Sequence, residues 1–387
     1  MNRFAICAVG VLAAALSIHA AEPAPLPVQP MLQSASTFLL DRQADDGSWA
    51  RHPALTGLCI MAVHDVAGVE PEKRDAAIDK GMAYMLSFIQ NDGAIYPADR
   101  DRKESANYPN YTTSIALLTM AVLNRPQDID AMRAARRYLQ ASQFDDPDAV
   151  DFGGIGYGRT GRADLSNGAW AAEALYATDY LDSEPFNNDQ AAAAHVKKMW
   201  RDLAVFLEKC QNLPKVNKQS YTSHDKRDRG GFIYRPFESK AGDRSSGSDN
   251  GAQSQLISSG SMTYAALKTM IYARLGPNDA RVRGAIDYLQ RNYTLKKNPG
   301  MGQQGLYYYL HTMTKALDAY GAETFTDADG NDHNWRHEIA AELSALQLEN
   351  GSWVNANGRF WESVPELATA YNMIALKVIT GQINLKK

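Results

Sequence analysis

Cysteine is scarce in this sequence, and charge of one sign is not in excess. The 387 residues include three cysteines and no CxxC pair, which excludes a disulfide scaffold and a standard zinc ribbon. Lys and Arg number 40 against 44 Asp and Glu, so there is no basic field to bind nucleic acid. Hydrophobic residues make up 45% of the chain, which is typical of a folded globular protein.

Only one apolar run approaches the length of a membrane span, and it lies at the N-terminus. The run, residues 4–18, follows a positively charged start. It leads into Ile18-His19-Ala20, and a signal peptidase could cut after Ala20. We therefore predict a signal peptide over 1–20, a Pro-rich leader over 21–31, and export to the periplasm or beyond. An uncleaved anchor is the alternative, although a span needs about 20 apolar residues. After cleavage we expect no membrane span.

A pattern that pairs glutamine with a glycine turn recurs along the chain. Its strongest copies run from Gln43 to Gly47-Ser48-Trp49 and from Gln347 to Gly351-Ser352-Trp353. The anchor glutamines of the six copies are Gln43, Gln90, Gln143, Gln211, Gln290 and Gln347. The spacing runs from 47 residues, between the first two, to 79, between the fourth and fifth. Two helices of about four turns and two loops fit the shortest unit.

The two helices of a unit differ in how much of their surface is apolar and must be buried away from water. The first, as over residues 78–89, has apolar residues on one helical face, so we predict that it lies outside. The second, as over residues 115–123, is apolar nearly all round and is predicted to lie inside. Left-handed glycines are expected between them, with the glutamine bonded to free backbone groups. These glycines are Gly47, Gly93, Gly153, Gly231 and Gly351.

Six such hairpins are predicted to close into a ring. In a closed ring the first unit packs against the last, so neither needs the polar outer face that the terminal repeats of an open solenoid have. Closure therefore explains why both ends of the chain keep the strong motif. The predicted fold class is therefore all-α, an α/α toroid or (α/α)6 barrel, in one domain over residues 32–380. A polar insertion at about 212–258 is either a lid or, over 242–256, disordered. Cys59 and Cys210 lie in distant units, which favours two buried thiols over a disulfide.

These motifs, with the Gly230-Gly231-Phe232 variant, resemble the repeats of the prenyltransferase and squalene oxidase superfamily. Its members include squalene-hopene cyclases and protein prenyltransferase β subunits. The resemblance covers about residues 32–380 and implies a toroid with a central cavity, but not an activity. The cyclases carry an acidic Asp-x-Asp-Asp motif. Its nearest counterpart here, in residues 327–332, has glycine at the fourth position and does not match. The Asp-x-Cys zinc ligands of the prenyltransferases are missing at Ser259-Gly260-Ser261. Both activities are therefore disfavoured, and no cofactor is expected.

In toroids of this kind the ligand site lies where the inner helices begin. The cavity candidates there are Tyr111, Trp170, Tyr264, Tyr307, Tyr308, His311 and Glu366, beside Tyr108, Thr112, Asn167, Ser261, Tyr309 and Tyr371. Their aromatic rings suit a flat or elongated ligand, and His311 and Glu366 are the catalytic candidates because they titrate. The alternative is that the tyrosines only fill the ring and that Glu366 complements a helix dipole.

No metal is expected, although one acidic stretch partly matches a calcium loop. Asp327, Asp329, Asn331 and Glu338 stand at positions 1, 3, 5 and 12 of the helix-loop-helix calcium motif. Asp332 occupies the sixth position, where that motif needs glycine. An acid-capped turn before a helix is the alternative.

Three functions remain open from the sequence. The first is an exported pocket protein that binds or transforms an isoprenoid-like, apolar or elongated small molecule, with its chemistry unassigned. The second is an exported carbohydrate-active lyase or hydrolase, with Glu366, His311, Asp225 or Asp228 as acid or base. The third is a non-catalytic interaction module. Two carboxyl groups facing across the cavity would favour the second, and a cavity packed shut would favour the third.

Overall fold

The computed structural model describes residues 27–99, 107–244 and 255–383. Across them the chain forms twelve α-helices and two short antiparallel hairpins. The predicted signal peptide, most of the predicted leader and residues 245–254 of the insertion lie outside the described residues. None of the described helices is long and apolar enough to cross a membrane.

The helices alternate between an outer and an inner ring. The outer helices are α1 (Val28–Asp41), α3 (Pro71–Leu86), α5 (Ile129–Gln140), α7 (Gln190–Cys210), α9 (Ala280–Arg291) and α11 (Trp335–Leu346). The inner helices are α2 (Pro53–Val63), α4 (Pro109–Leu123), α6 (Leu165–Ala177), α8 (Gly260–Tyr272), α10 (Leu306–Tyr320) and α12 (Pro365–Ile379). Each inner helix packs on the next, and α12 packs on α2, so the ring closes. The predicted α/α toroid is confirmed.

Burial follows the two hydrophobic patterns. Every residue of α2 is buried, whereas α9 buries only the face that carries Val282, Ala285 and Leu289. A helix that is apolar on all sides would expose apolar surface to water unless neighbours packed against every side. In the inner ring the adjacent helices bury that surface. The first helix begins at Val28, four residues before the predicted start of the domain, so residues 28–31 of the predicted leader are helical.

The anchor glutamines join each unit to the next. The Gln43 side-chain Nε2 donates to the Gly47 carbonyl in its own turn and to the Ala77 carbonyl in α3, at 2.9 and 2.8 Å. The same pair of bonds recurs from Gln143 to Gly153 and Met199, from Gln211 to Gly230 and Arg281, and from Gln347 to Gly351 and Met31. The last pair ties α11 back to α1. Gln90 and Gln290 depart from this pattern, since Gln90 bonds within its own turn and Gln290 bonds to Thr326.

The turn glycines lie directly against the outer helix of the next unit. Gly153 has φ +83°, and a Cβ there would lie 1.9 Å from the Asp202 carbonyl oxygen in α7. In the fourth unit Gly230, with φ +86°, takes this place, and the prediction of Gly231 was wrong. The reason is a shared backbone bond. In the third unit the Gly153 N–H donates to the carbonyl of Phe144, the residue after the anchor glutamine. In the fourth unit it is the Gly230 N–H that donates to the equivalent carbonyl, that of Asn212.

The motif tryptophans cap the same turns. Trp49 and Trp353 are fully buried, and their indole Nε1 atoms donate to Leu39 and Leu343 carbonyls at 2.7 and 2.9 Å. The Trp353 backbone N–H donates to the Thr369 hydroxyl in α12. Each tryptophan therefore links its turn to the outer helix of its own unit, and its backbone reaches the inner helix.

Three charged side chains meet in the interior of the ring. Glu173 of α6 forms salt bridges with Lys268 of α8 and Lys315 of α10, and all three are buried. Burial raises the pKa of Glu173, but the two ammonium groups outweigh that effect and hold the pKa at about 2. Burial lowers the pKa of Lys315. With all three ionised, the cluster carries a net charge of +1.

The described part of the insertion folds onto the ring without forming a helix. Two short strands, β1 (Asp243–Arg244) and β2 (Gln255–Leu256), pair within it. The buried carboxylate of Asp228 accepts from Arg244 Nε at 2.7 Å and from the Ser258 backbone. Cys59 and Cys210 are buried free thiols.

Substitution of the turn glycines tests the close approach between units. Gly153→Ala places a methyl group in the left-handed region and also against the α7 backbone, whereas Gly302→Ala, at φ +64°, meets nothing within 4 Å. We expect Gly302→Ala to cost about 1–2 kcal/mol for the backbone alone. Gly153→Ala should lower the free energy of unfolding in urea by at least about 2 kcal/mol more. Equal losses would contradict this packing.

The interior charges give a second prediction. Glu173→Gln leaves two buried ammonium groups without a counter-charge, so we expect a loss of about 3–5 kcal/mol in unfolding free energy. Lys315→Met leaves the ion pair of Glu173 and Lys268, whose net charge is zero. We therefore expect it to lower the free energy of unfolding by less than Glu173→Gln does. Urea unfolding of both variants measures the difference. A larger loss for Lys315→Met would show that the charge balance does not govern stability here.

Candidate functional site

A cavity of about 440 Å³ opens at the end of the ring where the inner helices begin. All six inner helices contribute to its wall. They do so through Leu55 of α2, Tyr111 of α4, Trp170 of α6, Met262 of α8, Tyr308 of α10 and Tyr371 of α12. The cavity is thus a direct product of ring closure, because no two adjacent helices would enclose it alone.

Trp170 lies at the centre of an aromatic wall. Its ring centroid is 6.3 Å from that of Tyr111, edge-on, and 6.4 Å from that of Tyr371, stacked. Tyr308 lies 6.5 Å from Trp170 and 6.0 Å from Tyr371. These separations and tilts are those that aromatic pairs prefer, so the wall is ordered by its own contacts.

The tyrosine hydroxyls of this wall stay neutral. Burial raises the pKa of Tyr308 to about 12 and raises the pKa values of Tyr111 and Tyr371 further. The wall therefore offers apolar ring faces together with a few neutral hydroxyl groups.

The floor beneath Trp170 carries the interior charges. The ammonium groups of Lys268 and Lys315 lie 5.7 and 5.5 Å from the Trp170 ring, within cation–π range. His311 lies behind the wall, 5.6 Å from Trp170, with Nδ1 3.1 Å from the Tyr371 carbonyl oxygen. Burial, together with Lys315, lowers the pKa of His311 well below its usual value. His311 is therefore a neutral residue of the core.

The mouth of the cavity bears two exposed aromatic side chains. Phe360 and Trp361 are 44% and 50% exposed and have φ values of +62° and +66°. The left-handed region costs bulky residues about 1–2 kcal/mol each. His52 meets Trp361 edge-on at 5.8 Å, and burial lowers the pKa of His52 to about 4, so it is neutral.

The sequence-predicted residues divide between the cavity and the surrounding walls. Tyr111, Trp170 and Tyr308 line the cavity, as do Tyr108, Asn167, Ser261 and Tyr371. Tyr264 instead packs on Tyr309 at 5.7 Å, and Tyr307 is directed to the Val354 carbonyl. Thr112 is buried in α4.

The two catalytic candidates are not brought together. Glu366 points outward from α12, where its Oε1 lies 2.5 Å from Arg42 Nε beside the C-terminus of α1. His311 faces the interior charges, on the other side of the wall. The prediction that they form a titratable pair in the cavity is wrong, because each is rotated out of the lumen on its helix. Asp225 pairs with Arg227, and Asp228 with Arg244.

The structure reveals two buried acids near the cavity that the sequence did not single out, Asp164 and Glu362. Glu362 Oε1 accepts from the Tyr308 backbone N–H at 2.7 Å. Asp164 caps α6, where its Oδ1 accepts from the Asn167 backbone at 2.9 Å and its Oδ2 from Asn167 Nδ2 at 2.7 Å. Burial raises the pKa of Asp164 to about 6, against the effect of the Asn167 bonds. In the sequence an Asp before an apolar helix indicates only a cap, and its place beside the cavity depends on distant residues.

The acidic stretch near residue 330 forms a turn. It joins β3 (Phe325–Thr326) to β4 (Asp332–His333). Asp327 accepts from the backbone of Asp329 and Asn331 at 3.0 and 2.9 Å, and His333 bridges Asp327 and Glu338. Within the described ranges no group of three or more His, Cys, Asp and Glu is placed to hold a metal ion. The side chains proposed for calcium are thus bonded to one another and to the turn.

No family model matches this sequence, and no curated protein matches it. Solved structures of two chemical kinds share its fold. One is the family 76 glycoside hydrolase (mannosidase) Bt3792 from Bacteroides thetaiotaomicron, with TM-score 0.55 and 11% identity over 92% of this chain and 99% of that one. Another is an inactive variant of the α-1,6-mannanase GH76A of Salegentibacter in complex with α-1,6-mannotriose, with TM-score 0.53 and 12% identity over 90% and 98%.

The second kind is a terpene cyclase. The type II terpene cyclase MstE from Scytonema has TM-score 0.50 and 13% identity over 91% of this chain and 98% of that one. At such identities the likeness concerns the fold alone. This chain is therefore an α/α toroid of the architecture that both mannanases and a terpene cyclase use.

Proposed function

We propose that this protein is exported and that its cavity binds an elongated, largely apolar small molecule of isoprenoid type. The observation that carries the proposal is the wall itself, in which all six inner helices present apolar or aromatic side chains to one enclosed space. Trp170, Tyr111 and Tyr371 offer ring faces, and Leu55 and Met262 offer aliphatic contact. Such a surface gains most by removing a ligand of similar character from water.

The size of the cavity fits this ligand class. Its volume of about 440 Å³ lies within the range of about 300–1,000 Å³ that is usual for small-molecule sites. The polar groups of the lining include Asn167, Ser261 and Asn298, together with His52, Lys240 and several tyrosine hydroxyls. A few polar groups in an apolar pocket fix the orientation of a ligand more than they supply its affinity.

A carbohydrate is the second candidate, and the mouth favours it. Exposed Phe360 and Trp361 present ring faces of the sort that stack on sugars, and the mannanases share the fold. Glycoside hydrolysis usually needs two carboxyl groups facing across the site. The described lining residues include no Asp or Glu, and the two buried carboxyl groups beside them, Asp164 and Glu362, are already bonded within the protein, Asp164 to Asn167 and Glu362 to the Tyr308 backbone and Asn355. For this reason we place the isoprenoid first.

A purely structural interaction module fits less well. That function would be favoured by a ring interior packed shut with side chains. The lumen instead holds an open space at one end, and the charged cluster fills only the region below Trp170.

Ligand titration tests the proposal. Squalene and β-farnesene, added from detergent, should change tryptophan fluorescence because Trp170 is part of the wall, and α-1,6-mannotriose should not. Tyr111→Leu should weaken isoprenoid binding about 2-fold to 10-fold, the value of one aromatic contact. Tyr176→Leu is the matched control, because Tyr176 stacks on Tyr272 at 4.3 Å outside the cavity.

The outcomes separate the candidates. Binding of an isoprenoid that weakens in Tyr111→Leu and persists in Tyr176→Leu supports the proposal. A response to mannotriose alone would favour the carbohydrate, and no response to squalene or β-farnesene would overturn the isoprenoid assignment.

A further inference from the structure

One lysine is the only charged side chain among the described residues that line the cavity. Lys240 belongs to the insertion, and its ammonium group lies 4.4 Å from the ring centroid of Tyr234, which also lines the cavity. This separation is within cation–π range. His52, the other basic residue of the lining, is neutral because burial lowers its pKa to about 4. The described surface of the cavity therefore carries a positive charge and no negative one.

The backbone holds Lys240 in place beside the cavity. Arg235 and Glu238 exchange two backbone hydrogen bonds, of 3.1 and 3.0 Å, and so close a tight turn just before Lys240. The hydroxyl group of Ser239 donates to the Ile257 carbonyl at 2.5 Å, close to the start of α8. The turn that carries Lys240 is therefore anchored to the ring, and the position of its backbone does not depend on a ligand.

The charges next to Lys240 leave one positive charge in excess. Lys240 Nζ donates to Oε1 of Glu238, and Arg235 Nε donates to Oε2 of the same carboxylate at 2.7 Å. Burial raises the pKa of Glu238, but these two bonds outweigh that effect and lower the pKa, so Glu238 is ionised. Two cations thus share one anion. An ammonium group has three N–H donors, of which Glu238 engages one, so Lys240 can also donate to a ligand.

The buried carboxyl groups beside the cavity are directed to the protein backbone. Asp164 accepts from the Asn167 backbone N–H at 2.9 Å, and Glu362 accepts from the Tyr308 backbone N–H at 2.7 Å. Each acid thus lies at the start of an inner helix, α6 or α10, where the helix dipole stabilises negative charge. Neither is among the residues that line the cavity. A ligand anion would therefore reach Lys240 without meeting a carboxylate on the described lining.

A second excess of positive charge lies behind the aromatic wall. Glu173, Lys268 and Lys315 together carry a net charge of +1, and the two ammonium groups lie 5.7 and 5.5 Å from the Trp170 ring. A cationic ligand stacked on Trp170 would be repelled by these charges, and an anionic one attracted. Both effects are stronger in the interior than in water, because the effective dielectric constant there is lower.

We propose that Lys240 binds a carboxylate group at one end of the ligand, while the apolar chain of the ligand lies on the wall around Trp170. The ligand class is then an isoprenoid carboxylic acid. The single positive charge in excess at Lys240 matches one carboxylate, whereas a diphosphate would bring several negative charges to it. This inference rests on the proposed function and narrows it.

Three ligands that differ mainly at one end test the carboxylate site. At pH 7.5 farnesoic acid is an anion, its methyl ester is neutral, and farnesylamine is a cation. We expect the acid to bind about 5-fold to 50-fold more tightly than the ester, the value of a hydrogen bond between charged groups. The amine should bind more weakly than the ester. Tryptophan fluorescence measures all three affinities, because Trp170 lies in the wall.

Substitutions of Lys240 assign the preference to this residue. Lys240→Gln should lower the affinity for the acid to that for the ester and leave the affinity for the ester unchanged. Lys218→Gln is the matched control and should keep the acid preference, since Lys218 lies in the same insertion but is exposed and donates to the Pro214 carbonyl. Lys240→Glu should reverse the order, so that the amine binds more tightly than the ester. A gain of amine binding cannot result from a failure to fold.

The outcomes separate this inference from the proposed function. Equal binding of acid and ester to the wild-type protein, or an acid preference that survives in Lys240→Gln, would overturn the carboxylate site while the isoprenoid assignment stands. Tighter binding of farnesyl diphosphate than of farnesoic acid would overturn the choice of a carboxylate. Failure of all these ligands to bind would instead overturn the isoprenoid assignment itself.

Discussion

The structure depends on one repeated interaction, in which a glutamine amide joins a glycine turn to the outer helix of the next unit. Gln347 makes this bond back to Met31 in α1, so the same contact that adds units also ends the series. It requires a glycine whose backbone touches that helix, as Gly351 touches Ser34. Four of the six turns are joined in this way at one end of the ring, and the inner helices begin at that end. The cavity therefore opens there.

The distribution of charge in the ring follows from this closure. Six apolar helices leave a lumen too wide to be filled by aliphatic side chains alone, and Glu173 with its two lysines occupies the lower part. Burial of three charges is tolerated because each has a direct partner. Above them Trp170 separates the charged floor from the aromatic pocket, and the carboxyl groups of Asp164 and Glu362 lie beside its wall. The pocket thus combines a mainly aromatic and aliphatic surface with a smaller set of polar lining groups, among them Asn167, Ser261 and Lys240.

Hydrophobic periodicity predicted the ring because the positions of the apolar residues in each helix indicate whether one face or every face is buried. It could not predict which inner-helix residues reach the lumen, since successive residues differ by about 100° around a helix. Tyr308 faces the cavity, whereas Tyr307 and Tyr309, one step to either side, face the walls. The same rotation removes His311 and Glu366 from the site. The position of Asp164 beside the cavity could not be predicted, because the start of α6 is held there by the bond from the Leu165 N–H to the carbonyl of Tyr234, seventy residues away from Asp164 in the chain.

Bulky residues with left-handed backbone conformations gather at the mouth, although such conformations also occur elsewhere, for example at Asn124, Phe237 and Arg274. Phe360 and Trp361 both adopt left-handed conformations and remain about half exposed, so neither burial nor a hydrogen-bonded turn fully repays their cost. Tyr108, at the start of α4, is also left-handed and also lines the cavity. Three bulky residues in this conformation therefore lie around one opening. A ligand of the proposed kind would meet these aromatic rings at the mouth before it reaches the apolar wall.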